Sequence, residues 1–260
     1  MKIPIFQVDA FTNTRFHGNP AAVCPLEEWL SAESMQKIAA ENNLAETAFF
    51  VMTGKEFHIR WFTPKTEVDL CGHATLATAA VIFEKLSLKD NRIIFQSRSG
   101  TLNVKKELHG YTLDFPADKL QKIENAKDIV EAVGKEPREI MKGKEDYMLV
   151  YPSEKDIYRI TPDFRKLSKV TARGVIITAP GNNVDFVSRF FAPAVGIDED
   201  PVTGSAHTTL TPYWSERLGK KELTAVQVSD RGGNLMCRDR GERIEISGQV
   251  AFYLEGIIEV

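Results

Sequence analysis

Hydrophobic and polar positions change period several times along the chain, and each change marks an element. Residues 3–10 are apolar and β-prone, which predicts a strand; His17-Gly18-Asn19-Pro20 predicts a turn, and residues 21–24 a short apolar strand. Ser31 is placed as the N-cap of a helix that carries Met35, Ile38 and Ala39 and ends near Asn42-Asn43. Residues 47–52 and 57–62 read as strands joined at Thr53-Gly54-Lys55. From Gly72 the pattern turns helical, and Ala74, Leu76, Ala77, Ala79, Ala80, Val81, Ile82 and Phe83 leave no polar face. A helix apolar all round has to be surrounded. A sheet curved about it is the simple solution.

Strands are predicted at 92–96, 101–107 and 111–115, followed by a boundary at Phe115-Pro116-Ala117 and a modest helix around 126–133. The second half repeats the plan. Strand-like runs at 147–150, 174–178 and 184–191, with a helical turn over 163–167, precede a second helix opened by Gly204 and stopped at Gly219. Strands at 224–229, 234–238 and 243–246 and a strand-rich tail over 249–260 complete the chain. Gly72 is as far from the turn glycine Gly100 as Gly204 is from Gly232, which supports an internal duplication. The expected fold class is α+β, with two pseudo-symmetric lobes, each a curved, mostly antiparallel sheet around a central helix. The lobes are expected at 1–116, joined by a returning tail strand 250–260, and at 117–249. The two helix N-termini would point into a cleft between them, where unpaired N–H groups and positive dipole ends bind carboxylate or phosphate.

Composition narrows the function. With 260 residues, 43% of them hydrophobic, the chain has ample material for ordinary cores, and a formal net charge of -3 gives no global attraction for nucleic acid or anionic membrane. The three cysteines, Cys24, Cys71 and Cys237, are sparse and fit a reducing compartment. No CxxC pair or close His/Cys cluster suggests a zinc site, so no metal is expected. The first ten residues are too polar for a secretory signal and no run is long enough to span a bilayer, so a cytoplasmic location is expected.

Three constellations carry candidate chemistry. In Cys71-Gly72-His73, Gly72 permits close backbone approach and His73 can donate a proton or hold a carboxylate. A helix N-terminus disfavours imidazolium, so a low pKa is expected for His73. Cys71 reads either as a thiolate activated by the same dipole or as a small buried hydrophobe. In the stretch from Asp200 to His207, Asp200 can accept from a substrate amine or hydroxyl, and Gly204 and Ser205 offer an anion cradle. The plainer reading is N-capping by Thr203 or Ser205, with His207 structural. Glu46 lies among Leu44, Phe49 and Phe50, where partial desolvation would suit it to proton transfer; by residue type alone a surface glutamate is favoured. Asn19 either faces the cleft or serves the turn.

At these residues the chain resembles the phenazine-biosynthesis PhzF-like family, which shares the diaminopimelate epimerase fold. The matching pieces are Gln7-Val8-Asp9-Ala10-Phe11-Thr12, Gly18-Asn19-Pro20, Asn43-Leu44-Ala45-Glu46-Thr47, Arg60-Trp61-Phe62-Thr63-Pro64, Glu67 to Thr75, Arg189-Phe190-Phe191-Ala192-Pro193, Asp198 to His207 and Ile246-Ser247-Gly248-Gln249-Val250. The resemblance implies pseudo-twofold lobes, a homodimer and an isomerase without metal or organic cofactor, acting on a small carboxylate-bearing substrate. It makes Glu46 the proton shuttle and assigns His73, Asp200, Gly72 and Ser205 to binding or polarising the substrate. The related epimerases use two cysteines. Here Cys71 matches the first and Thr203 stands at the second, and a hydroxyl is too weak an acid and base to replace a thiol. Two other readings stay open: an amino-acid epimerase or racemase using Cys71, and a non-catalytic small-acid binding protein.

Overall fold

A computed structural model describes residues 1–54 and 56–260. The chain divides into two compact units, Met1–Phe115 with Ile246–Val260, and Pro116–Glu245. The tail rejoins the first unit at Ile246, ahead of the expected 250, because the preceding strand runs on to Gly248.

The first unit holds β1 (Lys2–Ala10), β2 (Asn19–Leu26), α1 (Ala32–Asn42), β3 (Glu46–Thr53), β4 (Glu56–Phe62), β5 (Glu67–Val68), α2 (Gly72–Glu84), β6 (Arg92–Ser97), β7 (Gly100–Glu107) and β8 (Gly110–Pro116), whose last residue crosses the boundary. The turn expected at Thr53-Gly54-Lys55 includes Lys55, which lies outside the described residues. The second unit holds β9 (Gln121–Lys122), α3 (Lys127–Val133), β10 (Glu139–Lys142), β11 (Asp146–Val150), α4 (Glu154–Arg159), α5 (Phe164–Leu167), β12 (Gly174–Pro180), β13 (Phe186–Ala192), β14 (Ile197–Asp200), α6 (Ala206–Leu218), β15 (Glu222–Gln227), β16 (Gly233–Asp239) and the start of β17 (Arg243–Gly248). Then β18 (Val250–Glu259) returns to pair antiparallel with β1.

The units repeat one series of pairings. In the first, β2–β3 is parallel, β3–β4 and β4–β5 antiparallel, β4–β6 parallel and β6–β7 antiparallel. In the second, β11–β12, β12–β13, β13–β14, β13–β15 and β15–β16 follow the same signs in the same order. A matching ion pair marks each copy. Arg60 on β4 holds Glu67 on β5 through two bonds of 2.7 and 2.8 Å, and Arg189 on β13 holds Glu199 on β14 through two of 2.7 Å. Each bidentate clamp ties down the segment that leads into the unit's long helix.

Every residue of α2 from His73 to Phe83 is buried, as its all-round apolar character requires. The helix packs on β1, β2, β3 and β7. Its threonines satisfy themselves by bonding back one turn, Thr75 to Cys71 O at 2.5 Å and Thr78 to Ala74 O at 2.7 Å. In the second unit α6 contains Pro212, which has no N–H for the Thr208 carbonyl. Asp118 supplies the missing donor: its N–H bonds Thr208 O at 3.2 Å, while its carboxylate accepts from Thr209 Oγ1 at 3.0 Å. Among the described residues no helix is long and apolar enough to cross a membrane.

Candidate active site

In the first unit three elements bring Asn19, Glu46, Cys71, Gly72 and His73 together. Asn19 opens β2 and Glu46 opens β3, its parallel neighbour, where Ala21 pairs with Glu46. Cys71 is the N-cap of α2, and Gly72 and His73 are its first residues. Asn19 is fully buried, His73 is 5% exposed and Glu46 9%. The surface glutamate favoured by residue type alone is therefore corrected. Glu46 opens a strand whose first six residues are all buried, so both faces of β3 are covered at this end.

His73 is the centre of the cluster. Its Nε2 lies 3.1 Å from Glu46 Oε2, and its Nδ1 lies 3.2 Å from Asn19 Nδ2 and 3.5 Å from Cys71 Sγ. In a neutral ring an amide N–H given by Asn19 to Nδ1 puts the proton on Nε2, the nitrogen that faces Glu46; in the charged ring both nitrogens are donors and it is the amide oxygen of Asn19 that must face Nδ1. The Glu46–His73 pair is within bonding distance but out of line, and neither Oε2 nor Nε2 has an aligned hydrogen bond among the described residues.

The electrostatics reverse one expectation. Burial works against charge on His73, but Cys71 and Glu46 beside it work the other way, and the ring is held well above the ordinary imidazole value. The Cys71 thiol is itself pushed up to about 11, by burial first and by the Glu46 charge second. Of the two neighbours, Cys71, 3.5 Å from Nδ1, is the larger cause of the raise and Glu46, 3.1 Å from Nε2, the second. The low pKa expected from the helix N-terminus fails because these two groups together outweigh burial and the dipole.

The view that no His/Cys cluster exists is also corrected, since ligand atoms of Glu46, Cys71 and His73 lie within 4.8 Å of one another. Metal binding needs thiolate and neutral imidazole. A thiol near 11 and a ring raised above its usual value are poor matches for that demand.

The second unit assembles Asp200, Thr203, Gly204 and Ser205 between β14 and α6. Ser205 is the N-cap of α6 but makes no side-chain cap bond, and the first-turn N–H groups of His207 and Thr208 are taken by the carbonyls of Gly204 and Ser205 at 3.0 and 3.2 Å. Thr203 Oγ1 donates to Asp200 Oδ2 at 2.5 Å. His207 is structural: Nδ1 donates to Thr203 O at 2.8 Å, and burial pushes its pKa down to about 4. Two residues that sequence reasoning missed hold this segment. Gln227, fully buried, accepts from Thr203 N–H at 2.8 Å and donates to Asp200 O at 2.7 Å and to Thr203 Oγ1 at 3.2 Å. Arg173 donates to Ser205 Oγ at 3.0 Å. The only sequence signal for Gln227 was a polar residue in phase with Leu223 and Ala225 on the inward face of a strand.

A hollow of about 730 Å³ in the second unit, lined by Lys127, Lys166, Lys169 and neighbours, includes none of these residues.

A family model described as phenazine biosynthesis-like protein, PhzC-PhzF, matches residues 8–256. An uncharacterized isomerase of Pseudomonas aeruginosa is 50% identical over the full length of both chains. Among solved structures, a PhzF-family phenazine biosynthesis protein of Enterococcus faecalis is 46% identical, covers 100% of both chains and superposes with a TM-score of 0.97. A putative PhzC/PhzF protein of Clostridium difficile, 42% identical and covering 99% of this chain and 100% of its own, has a TM-score of 0.94.

Proposed function

The chain belongs to the PhzC-PhzF family of phenazine biosynthesis-like proteins, and from that membership we propose that it is an isomerase, one that needs no cofactor and moves a proton between two carbons of a small carboxylate-bearing metabolite. The observation that carries the chemical part is the buried, misaligned pair of Glu46 Oε2 and His73 Nε2. Such a pair realigns when a reacting group enters between its members. Glu46 takes the proton from one carbon and returns it to another, and the His73 ring, held protonated, stabilises the charge that develops on the substrate. Asn19 and Gly72 orient that substrate in the first unit. Asp200, Gly204 and Ser205 of the second unit are the other residues assigned to binding: an acceptor, a backbone N–H and a hydroxyl. One base suits a shift along one face of the substrate.

The test is a panel of small carboxylic acids incubated with the protein in D₂O and followed by mass spectrometry. A panel member should take up deuterium at carbon with wild-type protein and not with Glu46→Gln. Uptake that is the same with both proteins would refute the reading.

An epimerase built on Cys71 is disfavoured by a thiol near 11 and by the hydroxyl of Thr203 at the matching place. Cys71→Ser is accordingly expected to keep exchange within about threefold of wild type, since a neutral, buried group makes only a modest hydrogen-bond contribution. A two-base mechanism requires the opposite, a loss of several orders of magnitude, read in the same deuterium assay.

A further inference from the structure

The repeated pairings allow positions in the two units to be equated by register. Arg60 and Arg189, the clamp arginines, pair across the sheet with Phe49 and Ile177. Three residues earlier on those strands, Glu46 corresponds to Gly174, and Ala45 to Arg173. Gly72 and Gly204 correspond at the helix starts, so His73 corresponds to Ser205 and Cys71 to Thr203. In the first unit the strand start thus sets an acid against His73. In the second, the neighbouring residue of the same strand start sets a cation against Ser205.

The bonding of Arg173 gives this exchange a chemical meaning. Its Nε donates to Asp146 Oδ1 at 2.9 Å and its Nη2 to Asp146 Oδ2, a carboxylate only 3% exposed. Its plane rests over Phe190, 5.4 Å from the ring centroid, and its Nη1 reaches Ser205 Oγ at 3.0 Å. A guanidinium has donors and no acceptor, so the serine oxygen receives this bond and the serine proton must point elsewhere. Thr203, on the other side of Gly204, shows the same device completed. Gln227 Nε2 donates to Thr203 Oγ1 at 3.2 Å, and the threonine passes its own proton to Asp200 at 2.5 Å. Ser205 Oγ has no acceptor for its proton among the described residues.

We propose that Arg173 is a positioning residue that fixes Ser205 Oγ as a hydrogen-bond donor to the carboxylate of the substrate. The inference rests on the reading above that Gly204 and Ser205 bind substrate. The fork of Arg173 spans Asp146 and Ser205 at once, and a lysine, with a single nitrogen, keeps the charge against Asp146 but not the span.

The test uses the full chain, labelled with ¹⁵N, and formate as the probe, titrated while the amides of Gly204, Ser205 and Ala206 are followed. Ser205→Ala and Arg173→Lys should each weaken formate binding about tenfold, the loss of one charge-assisted contact. The double variant should bind no more weakly than Ser205→Ala alone, and Arg173→Lys should melt close to wild type. A purely structural arginine predicts the reverse, a lowered melting point in Arg173→Lys with formate binding unmoved. Wild-type affinity in Arg173→Lys, losses that multiply in the double variant, or wild-type amides that ignore formate would each overturn the proposal. If Arg173→Lys does not fold, the pair Asp146→Asn with Arg173→Gln removes the buried charge together with its partner and is read in the same way. Failure of the isomerase reading is seen separately, as deuterium uptake that does not depend on Glu46.

Discussion

Replacing Glu46 by Gln is expected to lower turnover by about 10²–10⁴-fold, the usual contribution of a positioned acid or base, with ligand affinity nearly unchanged. The argument is geometric. Gln keeps the volume of a residue that is 9% exposed at the start of β3, so the packing of Thr47 and Ala48 should survive. It cannot take a proton from carbon. A second readout comes from His73, whose pKa is raised by Cys71 and, after it, by Glu46, 3.1 Å from its Nε2. In Glu46→Gln the ring should titrate at lower pH, because burial then acts with less opposition. Carbon-13 or proton NMR of the imidazole measures this directly. Turnover close to wild type, or a His73 titration that does not move, would sink the assignment of Glu46 as the base.

His207 should make the protein acid-sensitive. Its pKa falls from 6.5 to about 4 on burial, so folding favours the neutral ring. The sign follows from linkage: the contribution is complete above pH 6.5, declines as pH falls, and is gone below about 4. A shift of this size corresponds to about 3 kcal/mol. His207→Asn, which can still donate to Thr203 O, should lose less stability than wild type between pH 7 and pH 4 in urea denaturation. Equal losses in the two proteins would rule the effect out. His73 has the opposite sign, since its raised pKa favours folding below pH 6.5 and that contribution is lost as pH rises through the folded value. Comparing His207→Asn with His73→Asn separates the two contributions.

Much of this architecture could be read before any coordinates. The apolar run after Gly72 announced a surrounded helix, and α2 is buried from His73 to Phe83. The matched glycine separations announced the duplication that the strand pairings display. The missed elements are short or polar: β5 and β9 have two residues each, and α4 is a six-residue helix with the sequence EKDIYR. Such segments carry too few residues for a hydrophobic period to register. At the site, the helix starts were visible because Gly72 and Gly204 mark them. What was not visible were partners brought in by the fold, including Glu46 for His73, Gln227 for Thr203 and Arg173 for Ser205. A local motif predicts a local field, and the expected behaviour of His73 was reversed by the Cys71 side chain within the motif together with the carboxylate that the fold brings to it.

The bond from Asp118 to the helix that contains Pro212 bears on where the chain can be cut. The stretch after β8 looks like a connector, yet Asp118 gives its N–H to Thr208 O and its carboxylate to Thr209 and to the Lys144 N–H. Ala117 donates to Glu242 O at 2.9 Å. A fragment of the second unit trimmed to begin at Lys119 would lose all of these and leave the Thr208 carbonyl without its donor. The excisable segment therefore starts at or before Pro116, and the apparent linker is part of the domain it introduces.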